Sequence, residues 1–144
     1  MLIKVITVGR IKDKNIQAKI DEFIKRIKFD AKIDMLEIKD STKEKEGQKL
    51  LDVLNKEKGY VFAMSEEGKQ MTSRQFSEKM AATHQKLIFI IGGPFGLIEE
   101  VKKKCNGTFS ISKMTFTHEM AKMFLLEQIF RGISIIKGRG YHND

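Results

Sequence analysis

The sequence predicts an α/β fold with a mostly parallel, five-stranded sheet and helices on both of its faces. Three observations lead there. Strand-like and helix-like stretches alternate along the chain, with no low-complexity segment, internal repeat or linker between them. The run Leu87 to Ile91 (Leu-Ile-Phe-Ile-Ile) is apolar throughout, which marks a central strand covered on both sides. The last helical stretch is apolar nearly all round, which marks a helix buried on more than one side.

Leu2 to Val8 reads as a buried first strand ending at Gly9. From about Asp13 to Lys28, Ile16, Ile20, Phe23, Ile24 and Ile27 recur at spacings of three and four, predicting an amphipathic helix. Ile33 to Ile38 is the second strand. Ser41-Thr42-Lys43-Glu44 has the pattern of a capping box opening a helix that turns Leu50, Leu51 and Leu54 inward. Tyr60 to Met64 is the third strand, followed by a turn-like Glu66-Glu67-Gly68-Lys69. A second capping box, Thr72-Ser73-Arg74-Gln75, opens a helix with Phe76 and Met80 inside. After the central strand come Gly92-Gly93-Pro94-Phe95-Gly96 and a short helix from Leu97 to Cys105. Its glutamates stand in the first turn and its lysines in the last, complementing the helix dipole. Asn106-Gly107 stops that helix. Phe109 to Ser112 is the fifth strand, and His118 to Ile135 the last helix, with a polar, glycine-rich tail beyond.

At 144 residues, 41% hydrophobic and 32% charged, the chain reads as one globular domain spanning 1–144. It has no apolar run near the roughly 20 residues a membrane helix needs, and its opening strand-like run leaves no room for a signal peptide. With the single Cys105 it is expected in the reducing cytoplasm. An excess of 27 basic over 19 acidic residues, net +8, suits a polyanionic partner such as RNA, and equally a charge kept for solubility.

In open α/β sheets, ligands bind beyond the carboxyl ends of the strands. Three such ends are unusual here: Met64-Ser65-Glu66, the glycine loop 92–96, and Ser112 to Phe116. Paired glycines let backbone approach a ligand closely, and Pro94 stiffens the exit. A dinucleotide-binding unit would carry its glycines after the first strand, where only Gly9 stands, and no Gly-Lys-Ser/Thr phosphate loop is present. His84, His118 and His142 lie far apart without a ligand pattern, so no metal is expected. Cys105 reads as a core residue. Met120, Met123, Phe124, Leu125, Leu126, Ile129 and Phe130 cover most of the last helix, whose second apolar side reads as a subunit interface, and Glu127 and Arg131 are spaced to pair.

Taken together, Ile91 to Leu97, Ser112-Lys113-Met114-Thr115-Phe116-Thr117-His118, Leu126 to Arg131 and Tyr141-His142 closely resemble the bacterial ribosomal RNA large subunit methyltransferase H family, of the SPOUT superfamily. The resemblance runs the whole chain and implies a homodimer with a C-terminal trefoil knot. It also implies an S-adenosylmethionine-dependent, metal-free enzyme that methylates N3 of a pseudouridine in a 23S rRNA hairpin of the assembled ribosome. By matching position, Met64, Gly92, Gly93, Ile111, Ser112, Lys113, Met114, Thr115 and Phe116 would hold the cofactor. Tyr141 and His142 would stand on the substrate side, His142 as the base and Tyr141 orienting it or stacking on the nucleobase. Glu127, Arg131, Arg139 and His118 would be RNA-binding or interface residues. The sequence departs from the pattern at Thr117, where proline is usual. It departs again at Arg139-Gly140, and at its last residues, where no basic residue follows His142; Arg139 or Lys137 would have to supply that charge. The competing reading is a non-catalytic RNA-binding or ribosome-associated factor that keeps the fold.

Overall fold

Leu87–Ile91 is buried along its whole length and forms the middle of the sheet. The computed structural model describes residues 1–143. Its strands are β1 (Leu2–Val8), β2 (Lys32–Ile38), β3 (Tyr60–Gln70), β4 (Leu87–Ile91) and β5 (Gly107–Ser110). The helices are α1 (Lys14–Ile27), α2 (Lys43–Lys56), α3 (Ser73–Ala82), α4 (Glu99–Lys104) and α5 (His118–Ile136). Strand order is β2-β1-β4-β3-β5, and every pairing is parallel. The fold class read from the sequence is the one observed.

Alternation along β4 divides the core into two layers. Phe89 and Ile91 face α1, α3 and α5, meeting Ile20, Phe23, Phe76, Leu125, Leu126 and Ile129. Ile88 and Ile90 face α2 and α4, meeting Leu50, Leu54 and Val101. Four aromatic rings knit the first layer. Phe62 stacks on Phe89 at 5.3 Å, Phe76 lies 5.5 Å from Phe109, and Phe89 meets Phe109 near edge-on. Each such pair is worth about 0.5–1.5 kcal/mol beyond its buried area.

Helix α5 lies between α1 and α3 on one face of the sheet. Much of its apolar girth is therefore taken up inside the chain: Leu125, Leu126, Ile129 and Ile133 are buried, whereas Met120, Met123, Phe124 and Phe130 are only half-buried.

The structure corrects several boundaries. Thr42, not Ser41, caps α2, its hydroxyl accepting from Lys45 N at 3.2 Å. The Ser41 amide is taken instead by Glu46 Oε2 at 2.7 Å, so no Ser41–Glu44 box forms. The Thr72–Gln75 box is present. Strand β3 does not stop at Met64. It bulges over 65–68 and resumes, so that Met64 and Lys69 both stand opposite Phe109 of β5. Gly68 is required there, since a Cβ would come within 2.6 Å of the Phe109 backbone. Asn106 is less a helix stop than a clamp on β3: its Oδ1 accepts from Val61 N and its own amide donates to Val61 O. That clamp starts β5 at Gly107, and the strand ends at Ser110, two residues short of the expected Ser112. Ile98 precedes α4 in extended conformation, so the helix begins at Glu99 rather than Leu97.

Candidate functional site

Because all strands run the same way, the bulge of β3 and the loops leaving β4 and β5 meet at one edge of the sheet. They enclose a cavity of about 600 Å³. That volume lies in the range of small-molecule sites, about 300–1,000 Å³.

The first wall is the glycine loop. Gly96 N donates to Gly93 O at 2.9 Å, and Gly96 has φ +75°, which only glycine adopts without strain. Gly92 packs so tightly that a Cβ would lie 2.9 Å from the Gly96 carbonyl. The second wall is the segment after β5. Ser110 Oγ donates to Ser112 O at 2.6 Å, and Met114 N donates to Ser112 Oγ at 3.0 Å. Thr115 Oγ1 donates to Glu66 Oε2 at 2.5 Å, tying this segment to the β3 bulge. Ile91, Leu97, Ile111 and Phe116 make the lining largely apolar.

The start of α5 closes the remaining side. Thr117 caps the helix, accepting from Met120 N, so the turn is held although no proline stands there. His118 lies over Gly9, its Nε2 3.3 Å from where a Cβ on that residue would be. Glu119 Oε1 accepts from the amides of Lys12 and Asp13, joining α5 to the loop after β1.

A second polar cluster lies further along α5. Arg131 Nε donates to Glu127 Oε1 at 3.0 Å, and Tyr141 Oη donates to the same oxygen at 3.1 Å. Arg131 Nη1 lies 3.1 Å from His142 Nδ1, and its guanidinium sits 4.8 Å from the centroid of the Tyr141 ring. Burial, with the Glu127 carboxylate beside it, raises the Tyr141 phenol above its usual pKa, while the Glu127 hydrogen bond raises that of Arg131. Arg139 is bidentate to Asp30 at 2.6 and 2.7 Å. That hydrogen bond holds the Asp30 carboxyl below its ordinary pKa.

Residues 1–142 match the family model described as a predicted SPOUT methyltransferase. The chain is 42% identical, over 99% of both chains, to the ribosomal RNA large subunit methyltransferase H of Acholeplasma laidlawii. It is 35% identical to the protein of that name from Enterococcus faecalis and 38% to that from Bacillus cytotoxicus, again over 99% of each. The chain belongs to the ribosomal RNA large subunit methyltransferase H family. A solved structure, a probable methylase family protein from Haemophilus influenzae, shares the SPOUT fold at TM-score 0.60 and 13% identity, covering 99% of this chain and 70% of that one.

In this member of the methyltransferase H family, Met64, Gly92, Gly93, Ile111, Ser112, Met114, Thr115 and Phe116 all line the one cavity. Lys113 does not; it is exposed beside it. His118 stands in the cavity wall with Glu119. Tyr141, His142, Glu127 and Arg131 are brought together, but away from their own chain's cavity. Arg139 pairs with Asp30 across the chain. Asp144, which ends the tail, lies outside the described residues. Among the described residues no cluster of three or more metal-ligating side chains occurs. Cys105 is half-buried, and burial pushes its thiol up to about 11.

Sequence reasoning missed Glu46. It is 2% exposed and lies directly beneath Gly93. The signal was available: Glu46 precedes Leu50 and Leu54 at intervals of four and so shares their inward face.

Proposed function

We propose that the protein is an S-adenosylmethionine-dependent methyltransferase that modifies N3 of a pseudouridine in 23S rRNA of the assembled ribosome, acting in the cytoplasm as a knotted homodimer. One observation carries the reading. In a chain of the methyltransferase H family, the positions matching the family's donor contacts, Lys113 apart, converge on one cavity of suitable size.

The cavity fits such a donor: an apolar slot for a flat base, with backbone at Gly92 and Gly93 free to approach and the Ser112 and Thr115 segment held rigid by its own hydrogen bonds. When bound, the donor supplies an electrophilic methyl group on a positively charged sulfur. The protein's residues then have three tasks. Ile91, Leu97, Ile111 and Phe116 exclude water. The glycine loop and the 110–117 segment fix the reacting line, and such alignment can supply about 7–11 kcal/mol of a barrier. The third task is removal of the imide proton from N3, which makes that nitrogen nucleophilic. A positioned base contributes about 10²–10⁴-fold.

His142 is the proposed base, delivered by a second copy of the chain. Helix α5 rises about 1.5 Å per residue, so Arg131, which holds His142, stands about 15 Å along the helix from Ala121 in the cavity wall. The tail therefore serves a neighbouring cavity better than its own. Exposed apolar side chains are open to that neighbour: Met114 in the cavity lining is 75% exposed, and Phe95 in the glycine loop 65%.

The Arg131 contact favours a second role for the same residue. Arginine can only donate, so a hydrogen bond here needs a His142 ring that accepts at Nδ1 and carries its proton on Nε2, a form that must leave Arg131 before it can act as a base. In that tautomer Nε2–H donates to a uracil carbonyl and stabilises the charge left as N3 loses its proton to solvent water. An asparagine can donate but is no base. His142→Asn retaining more than a tenth of wild-type turnover supports the donor role, and complete loss supports the base.

The assignment is tested by mass spectrometry of the rRNA hairpin from a strain lacking this gene, with and without the gene restored. Restoration of a methyl on pseudouridine N3 is expected. An unchanged pattern removes the substrate. Failure of the pure protein to bind S-adenosylmethionine at millimolar concentration leaves a ribosome-associated factor without catalysis.

A further inference from the structure

Glu46 is a buried carboxylate with one of its two oxygens unused. One oxygen, Oε2, accepts the Ser41 amide at 2.7 Å. The other, Oε1, is shielded from solvent and receives no hydrogen bond. An unsatisfied buried acceptor costs about 1–3 kcal/mol, more when charged, and such an atom in a folded protein calls for a reason. Its surroundings suggest one. Oε1 lies 3.2 Å from the point where a Cβ on Gly93 would be, and Val8 Cγ1 lies at the same distance. Gly93 thus rests on a floor made of Val8 and Glu46. Immediately beside Glu46, Gly47 is pressed against Ile98, two residues beyond the glycine loop, where a Cβ would come within 2.4 Å. Helix α2 carries the loop on its first turn.

We propose that Glu46 is a positioning residue for the methyl donor. Its fixed oxygen anchors the carboxylate to the Ser41 amide. Its unused oxygen takes the Gly93 amide hydrogen when an occupant of the cavity presses the loop down onto α2. The donor thereby sets the Gly93 amide on that acceptor, and the loop is held at one height against it. The inference rests on the reading that the cavity binds S-adenosylmethionine.

Glu46→Gln is the informative variant. The Ser41 amide needs an acceptor, so the glutamine carbonyl must face it; the NH₂ group then faces Gly93 and cannot accept. Packing and the Ser41 bond survive, and the thermal midpoint without ligand should stay at or above that of the wild type. Donor affinity measured by calorimetry should fall about 10- to 100-fold, the range expected for a hydrogen bond to a charged group. Amide exchange supplies a readout that a purely structural role would not move. In the wild type, S-adenosylmethionine should slow exchange at Gly93, and in Glu46→Gln it should slow it far less. Equal affinity in the two proteins, or a Gly93 amide that the donor leaves unprotected in the wild type, overturns the proposal. A wild type that fails to bind the donor at all fails one step earlier: it overturns the cofactor reading, and this inference with it.

Discussion

Replacing Gly92 by alanine tests whether the glycine loop is built for a close approach or is merely a turn. The new methyl would lie 2.9 Å from the carbonyl carbon and oxygen of Gly96 and 3.0 Å from Leu97 Cδ2. Against the 3.4 Å at which ordinary contact begins, the shortfall is about 0.5 Å, and most of it is against backbone, which cannot swing aside. Overpacking of this kind costs about 1–3 kcal/mol, and the stiffer unfolded chain returns about 0.4–1 kcal/mol. The net loss of about 1–2 kcal/mol corresponds to a midpoint lower by about 2–8 °C in a chain of this length. The chemistry should suffer more. A misplacement of about 1 Å can cost about 100-fold, so half of that predicts roughly a tenfold loss in kcat/KM. Thermal unfolding and a methyl-transfer assay on ribosomes read the two effects separately. Gly138→Ala is the control: it forces a residue with φ +69° into strain in open space, so it should lower the midpoint and leave donor affinity intact. A Gly92→Ala protein with wild-type kcat/KM would refute the reasoning.

Other expectations follow from the charged and polar groups. Hydrogen bonds from Lys4 and then Lys86 hold the Glu57 carboxyl below its ordinary pKa. A lowered folded-state pKa stabilises above the unfolded value and is lost as pH falls through the folded one, so Glu57→Gln should cost about 1 kcal/mol at pH 7 and progressively less in acid, read by urea unfolding. Cys105, with its thiol pushed up to about 11 and its Sγ–H donating to Val101 O, should react slowly with thiol reagents at pH 8 until the protein is unfolded. The Tyr141 phenol, raised by burial and by Glu127, should ionise above its usual value in an ultraviolet titration. Because the unfolded chain ionises first, stability should fall as pH rises past 10. Tyr141→Phe should remove that fall.

Most of the architecture was legible because periodicity and burial agree. The Leu87–Ile91 run could only be a strand covered on both faces, and the Thr72 to Gln75 pattern capped its helix as written. What escaped depended on partners distant in sequence. Glu66 to Lys69 has the composition of a turn, yet β5 draws the chain back into the sheet after a bulge that Gly68 permits. How α5 divides its girth, with Leu125, Leu126, Ile129 and Ile133 packed inside the chain between α1 and α3, depends on those distant helices. In the site, the glycine loop and the Ser112 to Phe116 segment were found from their places after strands. Glu46 was passed over because charge on a helix is ordinarily solvated, and only the fold reveals the loop above it. The pairing of Arg139 with Asp30, far away in sequence, could not be read either.

Helix α5 does more than cover the sheet. Its first turn walls the cavity, and its later turns hold Tyr141 and His142. The two ends are thus indexed to each other by helical phase, about 100° and 1.5 Å for each intervening residue. One residue inserted between Ala121 and Glu127 would swing the tail cluster by more than a quarter turn relative to the cavity, and four would nearly restore the angle while adding about 6 Å. A loop between these two parts could lengthen or shorten freely. A helix permits only changes that keep both angle and distance, so this interval should be the least forgiving in the chain to insertions or deletions.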